Sequence, residues 1–99
     1  MKRRVDIRKE FADDRLTRAA GERLRETIVA AAGEGKSVEV DFGDAVIAST
    51  SFLDEGFAKL AEDGWTKEDL DAKVSLVNMH PRDREIMKSL FANRAKSRR

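Results

Sequence analysis

Three consecutive hydroxyls, Ser49, Thr50 and Ser51, are the side chains of this 99-residue chain whose type and spacing best suit chemistry. They follow a short apolar stretch and precede a segment with helical apolar spacing, so they fall at a helix start. Ser and Thr cap helices there, and Ser51 followed by Asp54 fits a capping signal. One cap needs one hydroxyl, and three in a row exceed that need. A hydroxyl in this position is also suited to carry a phosphoryl group, because backbone N–H groups and the helix dipole favour negative charge. Asp54 and Glu55 would oppose that charge, so modification would change the local surface sharply.

The other candidates carry less. Carboxylates are paired at Asp13-Asp14, Asp54-Glu55, Glu62-Asp63 and Glu68-Asp69. Adjacent helical residues point about 100° apart, so such pairs read as helix-dipole compensation or solvated surface. His80 is the single histidine, and beside Pro81 it reads as a cap or surface residue. There is no cysteine, which excludes disulfides, thiolate nucleophiles and Cys-based zinc sites. No metal and no cofactor are expected. Gly33-Glu34-Gly35-Lys36-Ser37 has the letters of a phosphate loop but follows a helix and precedes a strand, the reverse of the required order. No nucleophile, base and pocket combine, so no enzyme is expected.

The elements that would hold the hydroxyls are legible from periodicity. Residues 3–8 alternate around Val5 and Ile7 as a half-buried edge strand, with Phe11 anchoring its end and residues 12–15 forming a loop. A first helix spans about 17–32 on Ala20, Leu24 and Ile28, capped by Thr17 and stopped by Gly33, with Arg18 and Arg25 on its solvent side. Gly21 inside it points to close packing on a sheet. Residues 37–42 form a second strand with Val38, Val40 and Phe42 on one face, and Gly43-Asp44 turns the chain. Residues 45–48 continue beneath the core. The second helix carries Phe52, Leu53, Phe57 and Leu60 and ends at Gly64, with Trp65 across its exit. Thr66 and Asp69 signal another cap and a short helical turn. Residues 73–79 are apolar enough for a central strand. Pro81 then opens a third helix bearing Ile86, Met87, Leu90 and Phe91.

This alternation predicts one α/β domain over residues 1–91, a small mixed sheet of three or four strands with three main helices in βαβαβα order packed mainly on one side. Residues 92–99 read as a frayed basic tail. The net charge of +1 conceals a segregation: residues 1–36 carry +3, residues 37–72 carry −8 and residues 73–99 carry +6. An acidic middle can steer a basic partner. The tail offers an alternative function, nucleic-acid binding through Lys96, Arg98 and Arg99. No apolar run is long enough to span a membrane and none forms a signal peptide, so a cytoplasmic protein is expected.

Val40-Asp41-Phe42, Val46-Ile47 and the run from Thr50 to Phe57, TSFLDEGF, resemble the STAS superfamily of sulphate transporters and anti-sigma factor antagonists. Within it the chain is similar to stand-alone STAS-like domains of unassigned function, over about residues 17–91. Anti-sigma factor antagonists carry D-S-S-G-L at this turn, with the second Ser phosphorylated by a partner that is both kinase and anti-sigma factor. Strand matching puts Ser51 at that position and Thr50 at the preceding Ser. Ser49 stands in place of the Asp and Phe52 in place of the Gly. The resemblance implies a STAS-like sandwich and a non-enzymatic regulatory module, either monomer or homodimer. It would bind a protein partner, a histidine-kinase-like ATPase in that family, through Ser49, Thr50, Ser51, Asp54 and Glu55. Ser51 is the phospho-acceptor it implies, with Thr50 second.

Overall fold

In the computed structural model, residues 2–11, 17–47 and 49–97 are described. The chain forms β1 (Lys2–Asp6), α1 (Ile7–Glu10), α2 (Arg18–Gly33), β2 (Ser37–Asp41) and α3 (Thr50–Gly56). A 3₁₀ turn (Ala58–Ala61), α4 (Lys67–Lys73), β3 (Val74–Val77) and α5 (Pro81–Ser97) complete it. Alternation of three strands with helices holds, but α1 is an extra turn and the expected second helix is divided into α3 and the 3₁₀ turn. Phe57 leaves helical geometry at φ −124°, and Gly64 at φ +98° then turns the chain.

The sheet is entirely parallel, in the order β1-β2-β3, which corrects the mixed sheet expected. Val5 stands beside Val40 and Val40 beside Leu76 in register. Registered residues share a face, so Val5, Val38, Val40, Val74 and Leu76 form one apolar surface under the helices. The opposite face carries Lys2, Arg4, Glu39 and Asp41, joined by the Lys2–Glu39, Arg4–Glu39 and Arg4–Asp41 ion pairs. The helices therefore lie on one side, as the alternation in residues 37–42 required.

β2, not β3, is the central strand. Apolar content misled here: in β3 only Val74 is buried, while Leu76 and Val77 are half-buried and Ser75 is exposed. β1 occupies the other edge, where Lys2, Arg3 and Arg4 are exposed and charge guards the unpaired backbone.

The caps explain why the helices start where they do. Thr17 accepts the Ala20 N–H at 3.0 Å. Thr66 and Asp69 form a reciprocal capping box at α4. His80 caps α5 through its Nδ1, which accepts the Arg82 N–H at 3.1 Å, and Pro81 is the first helical residue. Gly33 is the last residue of α2 and not the residue beyond it; Gly35, at φ +76°, makes the turn. The expected tail is helical through Ser97. Its last two residues, Arg98 and Arg99, lie outside the described residues, as do residues 12–16, where a loop was expected at 12–15, and Ala48.

Candidate functional site

The hydroxyl turn is held by two neighbours. Upstream, the Ile47 side chain is buried and its N–H donates to Asp83 Oδ2 at 2.7 Å. Asp83 is fully buried in the first turn of α5, so α5 fixes the approach to the turn. Downstream, Phe52, Leu53 and Phe57 are buried completely, and Phe52 packs edge-on against Phe11 with centroids 6.0 Å apart. The Phe52 side chain thus enters the core and leaves Thr50 exposed and Ser51 half-buried.

Ser49, not Ser51, is the N-cap: its Oγ accepts the Phe52 N–H at 3.2 Å and its carbonyl accepts the Leu53 N–H at 3.1 Å. The two hydroxyls that capping does not use are Thr50 and Ser51. Thr50 is exposed. Ser51 is half-buried and accepts a hydrogen bond from Arg18 Nη2 at 3.4 Å.

Asp54 and Glu55 do not face solvent. The Glu55 side chain is 4 % exposed and receives Arg18 Nη1 at 2.6 Å, Lys59 Nζ at 2.7 Å and Arg25 Nη1 at 3.1 Å. Asp54 is gripped by Arg94 through Nε at 2.6 Å and Nη2 at 2.5 Å, a bidentate pair, and by Arg18 at 3.5 Å. Arg94 also pairs with Glu62. Burial pushes the Glu55 carboxyl up, but the hydrogen bonds from Lys59, Arg18 and Arg25 outweigh it and hold the pKa at about 2. Hydrogen bonding from Arg94 likewise holds Asp54 below the usual carboxylate range, against burial. The acids expected to oppose a phosphoryl group are therefore already neutralised from within the chain.

This network exists because α2 and α3 touch at glycines. A Cβ on Gly21 would sit 2.7 Å from the Phe52 carbonyl oxygen and 2.8 Å from Glu55 Cβ. A Cβ on Gly56 would sit 3.2 Å from Leu24 Cδ2 and 3.5 Å from the Gly21 carbonyl oxygen. Gly21 thus serves a helix contact and not the sheet. Arg18, Gly21 and Arg25 recur at i, i+3 and i+7, one stripe of a helix. That spacing was the signal in the sequence that Arg18 and Arg25 face α3 and not water. Arg94, from the expected tail, carried no such signal.

Arg18 is the pivot of the site. Its side chain is 54 % exposed and touches Ser51, Asp54 and Glu55 together. A polar cleft of about 450 Å³ opens beside it, lined by Arg18, Thr50, Asp54, Glu62, Asn93 and Arg94 with Leu90. Among the described residues no three His, Cys, Asp or Glu side chains gather into a metal site. No helix among them is long and apolar enough to cross a membrane. His80 acts as a cap, Lys36 pairs with Glu34 at 2.9 Å between α2 and β2, and Lys96 is exposed.

Residues 20–84 match a family described as a STAS-like domain of unknown function, and the chain belongs to that family. The matched span holds β2, α3, α4, β3 and the hydroxyl turn. No curated protein and no solved structure matches the chain.

Proposed function

We propose that this STAS-like domain is a non-enzymatic regulatory module that binds a protein partner through the turn at Ser49, Thr50 and Ser51. The observation that carries the reading is the division of labour at that turn. Ser49 alone caps α3, Phe52 is buried beneath it, and Thr50 and Ser51 remain at the surface beside a half-exposed arginine. Asp54 and Glu55, consumed by internal ion pairs, act as its foundation and not as docking groups.

The partner class follows from the likeness to anti-sigma factor antagonists: a histidine-kinase-like ATPase. In that reading Ser51 Oγ takes the γ-phosphoryl of the partner's ATP, ADP leaves, and the hydroxyl proton passes to a base on the partner. Arg18 is within reach of the new phosphate, and pairing with it would draw the guanidinium from Glu55. The surface that the partner meets would then carry a charge it was not shaped for. Location inside the cell belongs to the same proposal.

Affinity purification of the tagged protein from its source organism, with Ser51→Ala and Ser51→Asp beside the natural chain, tests it. One protein retained by the natural chain and Ser51→Ala, and at least tenfold less by Ser51→Asp, is the expected result. Equal retention by both variants would remove the switch but not partner binding; retention of nothing by any form would remove both.

A further inference from the structure

A second surface lies on the opposite flank, at the open edge of the sheet. The Phe42 N–H donates to the Val77 carbonyl at 3.0 Å, so Ser75 and Val77 aim their backbone groups at β2. Strand alternation then aims those of Val74 and Leu76 outward. The Val74 N–H is taken by the Leu70 carbonyl, and the Leu76 carbonyl accepts Arg84 Nη2 at 3.0 Å. The Val74 carbonyl and the Leu76 N–H have no partner among the described residues. α4 thus takes one of the four outward groups of this edge, a guanidinium covers a second, and two are open.

Beside this edge runs a groove of about 810 Å³ between β3, α4 and α5. Trp65, Leu70, Leu76, Met87 and Phe91 supply its apolar walls. Trp65 and Leu76 are only half-buried, which leaves apolar surface open to a ligand. Arg84, Lys67 and Lys88 stand among the residues lining it, against Asp71, which pairs with Lys67 at 3.4 Å. Lys73 lies over the Trp65 ring at 4.8 Å. Lys88 is exposed and has no ionic partner among the described residues.

From this geometry we infer that β3 and its groove receive an extended, acidic segment of another protein as a fourth strand. The guest would bond the Val74 carbonyl and the Leu76 N–H and would replace Arg84 on the Leu76 carbonyl. The freed guanidinium then pairs with a carboxylate of the guest, so the residue that guards the edge becomes a reader of acidic sequence. Alternate apolar side chains of the guest fall on the Trp65–Leu76 side of the strand. A second copy of this chain fits poorly, because it would set Arg84 and Lys88 against their own like. This surface is separate from the hydroxyl turn, and the inference stands whether or not that turn binds anything.

Trp65 is the single tryptophan and reports on the groove directly. The probe is a library of capped octapeptides with Asp or Glu at alternate positions and apolar residues between, titrated against the full chain. We expect a saturable change in Trp65 emission below about 1 mM for the tightest member. Affinity should fall at least tenfold with Lys88→Glu, with the lysine counterpart of the peptide, and with its backbone N-methylated form. No saturable response from any member, equal binding of the acidic and basic peptides, or equal binding after N-methylation would overturn the inference. So would a stable dimer in sedimentation that buries Trp65.

Discussion

The two flanks of this molecule treat polarity in opposite ways. On the α2–α3 flank, charged side chains are buried and satisfied by one another: Glu55 meets three cations and Asp54 is gripped by two. On the β3 flank, apolar side chains and backbone groups are left open to solvent, with a single arginine over the edge. The first flank is complete without a partner and offers only two hydroxyls. The second is an incomplete sheet beside an apolar groove. The contrast teaches that a charged side chain such as Glu55 can be buried while apolar ones such as Trp65 and Leu76 stay half-open. Arrangement decided both.

That contrast can be broken by substitution. The largest effect is expected at Gly21→Val. The new Cβ meets a backbone oxygen at 2.7 Å, which must separate α2 from α3. We expect a loss of about 5 kcal/mol or more in chemical denaturation. Glu55→Ala follows at about 3–5 kcal/mol, because it takes the shared carboxylate from Arg25 and Lys59, both largely covered, and from Arg18. A pH titration sharpens the same point. The folded-state pKa of Glu55 is depressed from 4.5 to about 2, so its contribution is whole above about 4.5 and is lost as pH falls through 2. That contribution is about 3 kcal/mol, and Glu55→Gln should flatten the acid limb of the stability curve.

Smaller effects separate the turn from its foundation. Asp83→Ala removes the acceptor of the Ile47 N–H and should cost about 1–3 kcal/mol, visible as faster amide exchange at Ile47. Lys88→Glu and Thr50→Ala should lie within about 0.5 kcal/mol of the natural chain, since both residues are exposed. If either surface variant proved as costly as Glu55→Ala, the division between a self-satisfied flank and an available one would fail.

Much of the frame was readable in the residues. The alternation of Val38, Val40 and Phe42, the cap at Thr17, the Thr66–Asp69 box and the His80-Pro81 start all report local geometry, which sequence neighbours determine. What stayed hidden depends on distant partners. Asp54 and Glu55 read as first-turn acids because Arg18, Arg25 and Arg94 arrive from 30 or more positions away. β3 read as central because an apolar run does not reveal whether one neighbour or two will pair with it. Residues 92–99 read as a fraying tail because they carry no apolar periodicity, whereas Arg94 ties that turn of α5 to α3. Ser51 read as the cap because three hydroxyls in a row do not say which one turns inward.

The central claim is that a partner meets the hydroxyl turn. A photoreactive residue placed at Thr50 tests it most directly, with the same residue at Glu34 as the control. Glu34 follows the far end of α2, a 16-residue helix, and so lies about 24 Å along its axis from Arg18. In cells of the source organism, the account predicts one cross-linked protein from position 50 that is absent from position 34. The same adduct from both positions, or none from position 50, would contradict it.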